Sequence, residues 1–297
     1  MTGVEAVVPA PAVRQRRSPA KLAVRRFARH RVAVASVGVL LVIVIGALFA
    51  GPISGHSPTS IDLFQIRASP SGKHWLGTDS TGRDVFSRLL YAGRVSLGVG
   101  IAAALIAVVI GTVLGSIAGL LGGWVDNVVM RLADIFLSFP SLVVMIVIAG
   151  ILGPSVLTMV IAIGLFQWPT CGRLVRGVTL SLREQEYVQA SRAVGAGPVW
   201  LMARHIIPAA LPPVSVVATL GVAQAIGLEA TLSFLGLGVQ PPQPSWGNML
   251  TDAQSLTVIR SMPWLWLPPG LAVAITVLAV NFIGDGLRDA VDPRQSR

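Results

Sequence analysis

The sequence predicts an all-α integral membrane protein with six transmembrane helices, and three observations carry that prediction. Of the 297 residues, 53% are hydrophobic and only 12% are charged, about half the charged share of a soluble domain. Mean hydropathy is +0.73. Uncharged runs exceed the roughly 10 to 14 residues of an average globular helix and reach the roughly 20 that cross a bilayer. The net charge of +10 therefore reads as membrane topology. No nucleic-acid partner is expected, because the basic residues sit between apolar runs instead of on one soluble face.

The runs give the spans in order. Val32 to Ala50 follows Arg31 and stops at Gly51-Pro52, enough for one crossing. A basic segment before an apolar run also describes a secretory signal, but this run is longer than a usual signal core and the chain behind it is itself apolar. Val95 to Val125 lies between Arg94 and Asp126 and suits one tilted helix. Ile135 to Gly172 is too long for a single crossing, and Gly153-Pro154 divides it into two spans joined by a tight turn. Ile206 to Val239, whose one charge is Glu229, and Ser261 to Gly284 supply spans five and six. Pro212-Pro213 and Pro268-Pro269 are expected in early helical turns, where missing N–H groups are best tolerated.

Six spans put both termini on one side, and Lys and Arg decide which. Seventeen of the 23 fall in the N-terminal tail, beside Arg131, between spans four and five, or after span six. Arg67, Lys73, Arg83, Arg88, Arg94 and Arg260 remain on the other side. The asymmetry predicts cytoplasmic termini. The partition is then a basic cytoplasmic tail at 1–31, a first transmembrane helix at 32–52, an extracytoplasmic segment at 53–94, a five-helix core at 95–285 and a cytoplasmic C-terminal tail at 286–297. Residues 1 to 20, rich in Pro and Arg, read as a disordered tail.

If a chain of this kind moves solutes across the bilayer it needs an energy source, and this one lacks several. Lys73 follows Gly72 but precedes His74, so no phosphate-binding loop is present. The single Cys171 excludes an intrachain disulfide, and His30, His56, His74 and His205 have no short ligand spacing. The chain is read as non-catalytic, with no cofactor and no metal site of its own. Glu229 is the one ionisable group deep in a predicted span, with Asp134 and Asp285 at span edges. It is either a helix–helix or cavity-facing hydrogen-bonding group, or the acid of a proton-coupled carrier. Gly111, Gly115, Gly119 and Gly123 recur every fourth residue, so they share one helix face that neighbouring backbones can approach, in a transport bundle or in ordinary packing.

Residues 173 to 207 form the longest interior segment on the side predicted to be cytoplasmic. Ser181-Leu-Arg-Glu184 matches a capping box, which predicts a helix start there. Tyr187, Ala190, Ser191 and Val194 then fall on one face, Gly195-Ala-Gly197-Pro198 breaks the helix, and a second helix runs from Pro198 through Trp200, Leu201 and Arg204 to Pro208. The hairpin is either interfacial or a docking element for a partner's groove. Before span two, Ser80 to Tyr91 has helical spacing at Val85, Leu89 and Leu90, which places Arg83, Asp84 and Arg88 toward water.

At this hairpin a resemblance becomes specific. Gln189-Ala-Ser191, Gly195 and Ile207-Pro208 keep the spacing of the EAA loop of ABC importer permeases, with Gln in place of Glu and Ser in place of the second Ala. The string from Glu186 to Gly195 and on to Arg204-His-Ile-Ile-Pro208 resembles the dipeptide/oligopeptide/nickel permease family. Arg25-Arg-Phe-Ala-Arg-His-Arg31, His74-Trp-Leu-Gly-Thr-Asp-Ser-Thr-Gly-Arg-Asp84, and Leu232-Ser-Phe-Leu-Gly-Leu-Gly238 with Pro244-Ser-Trp-Gly-Asn248 are similar to other stretches of the same family. The match spans about residues 21 to 293.

The resemblance implies a type I ABC importer permease architecture with a cytoplasmic coupling helix, in a plasma (inner) membrane. It implies a coupling loop over 181–208 that uses Glu186, Tyr187, Gln189, Ala190, Ser191, Arg192, Gly195 and Pro208. It further implies a second homologous permease, two ATPase subunits or domains carrying ATP and Mg, and an extracytoplasmic solute-binding protein that delivers di- or oligopeptides. Asp79, Arg83 and Asp84 are candidate binding-protein contacts; Glu229, Gly111, Gly115 and Gly119 are candidate pathway or packing positions. A nickel or nickel-chelate importer is the nearest rival reading, although the chain offers little nickel coordination.

Overall fold

The structure is a computed structural model and describes residues 19–291. Of the tail expected to be disordered over residues 1 to 20, the first 18 lie outside the described part, as do the last six residues of the chain, whereas Pro19 and Ala20 begin a helix. Among the described residues the regular secondary structure is helical, with a single isolated bridge between Thr78 and Asp84 and no strand.

Helix α1 (Pro19–Arg29) leads into α2 (Arg31–Leu48), whose first turn is capped by His30: its Nδ1 accepts the Ala33 N–H at 3.2 Å. The chain bends at Phe49 into α3 (Ala50–Ser54), which Gly55 ends at φ +65°. The carbonyls freed at that bend do not go unpaired. Arg94 donates from Nε to the Ala47 carbonyl at 2.6 Å and from Nη2 to Leu48 at 2.7 Å, a charged cap for the C-terminal end of a helix.

After the irregular segment 55–84, α4 (Val85–Leu121) runs for 37 residues, about 56 Å at 1.5 Å per residue. It starts ten residues before the expected Val95, and so absorbs the separate helix expected at 80–91. The charges on that stretch also differ from expectation: Asp84 and Arg88 are buried. Asp84 faces inward because its Oδ1 caps α4 through the Ser87 N–H at 2.6 Å.

Helix α5 (Gly123–Ser138) and α6 (Ser141–Leu152) meet at an 86° bend, so the expected span from Ile135 to Leu152 is broken. Pro140 forces Phe139 into an extended conformation at ψ 141°, which no helix can accommodate. The break at Gly153-Pro154 lies where expected, with Gly153 at φ +84°. Helix α7 (Val156–Arg183) then runs straight past the expected end of span four. Ser181 lies inside it, so the predicted cap there does not form.

Two short helices follow, α8 (Glu186–Ala193) and α9 (Pro198–Leu201). A π-turn at Met202–Ile206 joins α9 to α10 (Ile207–Phe234), and the Ile207 N–H reaches back to the Met202 carbonyl. The expected stop at Pro208 is therefore absent: the wider turn lets the helical path continue through the proline. Pro212, Pro213, Pro268 and Pro269 stand beyond the first turns of their helices. After α11 (Trp246–Met249), a 3₁₀ turn at Leu250–Gln254 and α12 (Leu256–Ser261), α13 (Pro263–Val291) closes the described chain and takes in the first part of the expected C-terminal tail.

Helices α4 and α7 make the most extensive contact, and α10 packs across α4 and against α13, which in turn holds α2. Val99, Ala103, Met145, Met159, Ile163, Ala225 and Leu232 form the central core between α4, α6, α7 and α10. Large apolar side chains also face outward, among them Val42, Leu105, Ile151 and Leu152, as expected of surfaces covered by lipid or other subunits. Helices α2, α4, the run Pro198–Phe234 and α13 are long and apolar enough to cross a membrane, and the bent α5–α6 pair makes a fifth if counted as one span.

Candidate functional site

The α8–α9 hairpin leaves the bundle beyond Arg183 and is held by one apolar anchor. Val188 packs with Leu201 and Ile206 onto Leu120 at the end of α4. The turn is a Schellman motif: the Gly195 N–H donates to the Arg192 carbonyl and the Ala196 N–H to the Ser191 carbonyl, both at 3.0 Å. Gly195 supplies the left-handed residue at φ +94° that a side chain would strain. The anchor turns the predicted face outward. Tyr187 is 49% and Val194 87% exposed, and Glu186, Gln189, Ala190 and Arg192 are exposed beside them.

His205 completes this face. Its ring lies edge-on to Tyr187 and Trp200 at 5.4 and 5.2 Å, and its Nε2 is 3.3 Å from the Ser191 hydroxyl. The structure thus brings Tyr187 and Ser191 together with Trp200 of α9 and His205 of the π-turn. Pro208 stands apart from them, past the π-turn. Val188 was not singled out in the sequence, where it occupies the face opposite the one the helical spacing selected, and His205 was named there only as a histidine without ligand spacing.

Two ion pairs and one hydrogen bond fasten α7, which leads into the hairpin, to its neighbours. Arg176 is bidentate on Asp126, with Nη2–Oδ2 at 2.6 Å; Arg173 reaches Asp134 at 2.6 Å; and Arg183 donates to the Gly119 carbonyl at 3.2 Å. These contacts tie α7, from which the hairpin departs, to α5 and to the end of α4.

Glu229 is fully buried. Its Oε2 accepts from the Ser96 hydroxyl at 2.7 Å and its Oε1 from the Ser233 hydroxyl at 2.8 Å. Each hydroxyl oxygen in turn accepts a backbone N–H, from Trp246 at 3.2 Å and from Val239 at 3.1 Å. The network ties α4, α10 and α11 at one point. Gly111, Gly115 and Gly119 are equally structural: a Cβ at Gly111 would come within 2.7 Å of the Cys171 Cβ, and one at Gly119 within 2.6 Å of the Thr179 Cβ. The stripe welds α4 to α7. Gly123 is not part of it, since α4 ends at Gly122.

Asp79, Arg83 and Asp84 are spent within the segment they belong to. Asp79 accepts from the Thr81 N–H and hydroxyl and from the Arg83 N–H and Nε, between 2.8 and 2.9 Å, and Arg88 Nε stands 3.3 Å away. Burial opposes the Asp79 charge, yet the N–H groups of Arg83 and Thr81 prevail and hold its carboxyl below the usual carboxylate value. Asp84 pairs its second oxygen with His74 Nδ1 at 2.8 Å. These two carboxylates are turned inward and order the segment between α3 and α4.

Two cavities run along the inner side of α7. One of about 120 Å³ lies between α4, α7 and α10; another of about 620 Å³ opens between the α5–α6 bend, α7 and α10. Gln167, Thr170 and Gln224 line both, and none of the three stood out in the sequence, where each is an isolated polar residue in an apolar run.

The model of the family described as binding-protein-dependent transport system inner membrane component matches residues 111–297, and that of the N-terminal transmembrane domain of oligopeptide transport permease C matches residues 18–70. A putative peptide permease of Brucella suis biovar 1 is 45% identical over 277 residues, 93% of this chain and 91% of its own. A dipeptide transport system permease of Alkalihalophilus pseudofirmus is 42% identical over 277 residues, 93% and 90% of the two chains. A glutathione transport system permease of Pectobacterium atrosepticum is 40% identical over 287 residues, 96% and 95%. Among solved structures, an inward-facing methionine ABC transporter aligns with a TM-score of 0.56 at 20% identity, covering 69% of this chain and 96% of that one, a likeness of fold.

Proposed function

Because the chain belongs to the binding-protein-dependent transport system inner membrane component family, within its peptide permeases, we propose that it forms half of the translocation pathway of an ATP-driven di- or oligopeptide importer. In this reading substrate arrives on an extracytoplasmic solute-binding protein, a second homologous permease completes the pathway, and two ATPase subunits or domains hydrolyse ATP with Mg. The relatives named for peptides, dipeptides and glutathione support peptides over nickel.

Six crossings follow if α2, α4, the bent α5–α6 pair, α7, α10 and α13 each span a plasma (inner) membrane. Both termini and the hairpin are then cytoplasmic, as the Lys and Arg distribution favours. Segment 53–84 faces outside. The coupling loop uses Glu186, Tyr187, Gln189, Ala190, Ser191 and Arg192 as its contact face and Gly195 as its turn, with Pro208 at the root of α10. Asp79, Arg83 and Asp84 keep the outer segment in shape, so that a binding protein meets its surface and not their side chains.

The observation that carries the proposal is the hairpin itself. An apolar anchor on Val188 holds it to α4, while Tyr187, Val194 and Trp200 remain exposed beyond the bundle, as a coupling helix for a partner's groove requires. Ala190 is exposed on that helix, so Ala190→Trp overfills a partner's groove without disturbing the fold. Gly195→Asp distorts the turn by roughly 1 to 3 kcal/mol. Both variants are expected to insert, yet to lose ATPase co-purification or to hydrolyse ATP without peptide uptake. Normal uptake and co-purification in both would remove the coupling role. An autonomous proton-coupled carrier is disfavoured because both oxygens of Glu229 are engaged by serine hydroxyls.

A further inference from the structure

Neither the packing nor the hairpin makes use of Gln167. It lies on α7 within the bundle, and both its amide oxygen and its amide nitrogen are buried without a hydrogen-bond partner. The amide oxygen faces the space left by Gly221 of α10, where a Cβ would stand 3.4 Å from it. Surrounded by apolar helices, an unpaired amide is costly and persists where it serves a purpose.

That amide stands where the two cavities of about 120 and 620 Å³ adjoin, together with Thr170 and Gln224. The larger cavity is flanked by Phe136, Phe139 and Phe166. Its polar lining is neutral: an amide offers one acceptor oxygen and two N–H donors, and a hydroxyl serves in either sense. A peptide bond presents the matching C=O and N–H. Neutral amides beside an aromatic wall therefore suit ligands whose backbone is constant and whose side chains vary. Neutral hydrogen bonds are also weak enough to be made and released in passage.

We propose that Gln167, Thr170 and Gln224 form a transit subsite for the backbone amides of peptides, on the walls of α7 and α10. The inference rests on the peptide-permease reading above and names the side chains that would meet the cargo.

The test uses the complete importer, co-expressed with its partner subunits, reconstituted in vesicles and supplied with loaded binding protein. Uptake of trialanine is compared with that of its analogue carrying an ester in place of the central amide. Gln167→Leu and Gln224→Leu are expected to keep assembly and ATP hydrolysis. Each should lower trialanine uptake per ATP about tenfold, the loss of one or two neutral hydrogen bonds, and reduce the preference for amide over ester; Gln167→Asn should recover part of both. Because Gln167→Leu removes an unpaired buried amide, its thermal stability should hold or rise, whereas a packing role predicts a fall. Wild-type uptake and an unchanged amide-to-ester ratio in both leucine variants would overturn the subsite and leave the permease reading standing. No ATP-dependent uptake of dialanine, trialanine or glutathione by the wild-type complex would overturn that reading, and the subsite with it.

Discussion

Replacing Glu229 separates a fastener from a carrier of protons. The carboxyl has no exposed surface, and its two oxygens take one hydroxyl each, from Ser96 on α4 and Ser233 on its own helix. In Glu229→Ala both hydroxyl hydrogens lose their acceptor, at about 1 to 3 kcal/mol each. A void of roughly 50 Å³ adds about 1 kcal/mol at about 24 cal/mol per Å³. The expected loss is therefore about 3 to 7 kcal/mol. Glu229→Gln keeps shape and one acceptor and strands a single hydroxyl, so it should cost about 1 to 3 kcal/mol. Thermal unfolding of the purified complex should rank wild type above Gln and Gln above Ala, while ATP-dependent uptake per folded complex survives in the Gln variant. Two outcomes would refute the reasoning: an Ala variant as stable as wild type, or a Gln variant that folds normally yet no longer responds to an imposed pH gradient that drove uptake before.

Gly111→Val should push α4 from α7, since even its Cβ would lie 2.7 Å from the Cys171 Cβ and 2.8 Å from the Trp168 carbonyl; overpacking of roughly 1 to 3 kcal/mol would appear as lower yield and earlier unfolding. Lys73→Cys in a Cys171→Ser background should label from outside intact cells, and labelling only after permeabilisation would invert the proposed orientation. The Asp79 carboxyl is held below its ordinary 3.8, so the unfolded segment binds a proton more readily than the folded one. Its contribution is complete above about pH 4 and is lost as pH falls through the lower folded value. Amide-exchange protection of residues 77–84 should follow that acid loss, and Asp79→Asn should lower the protection at neutral pH.

The helical class was legible because hydropathy and charge act over whole spans, so a few misread residues do not change the outcome. Ends and breaks were less legible because they depend on single contacts. Ser181 with Glu184 satisfies the local rule for a helix start, yet α7 already occupies those residues and its carbonyl ladder takes precedence over the cap. Pro208 satisfies the rule for a stop, yet the π-turn at Met202–Ile206 carries the helical path past it. Phe139-Pro140 had the opposite fate: lying within a long uncharged run, it was masked by hydropathy, although the proline alone forces the extended residue that bends α5 away from α6.

The candidate site divides along the same physical line. Tyr187, Ala190 and Val194 could be placed on one exposed face because residues on one side of a helix recur every three or four positions, and that repeat is visible in one dimension. The stripe of Gly111, Gly115 and Gly119 was visible for the same reason, but its partners Cys171 and Thr179 on α7 were not, because nothing in α7 repeats in step with it. Charge was misleading near Asp79, Asp84 and Arg88. Spacing put Asp84 and Arg88 toward water, whereas each of the three pairs with a residue no more than ten positions away and turns inward. Gln167 and Gln224 stand 57 positions apart in the sequence, on different helices, and meet only on the lining that the cavities share. A polar residue alone in an apolar run carries no period, so its signal is energetic: both polar atoms of the Gln167 amide are buried without a hydrogen-bond partner.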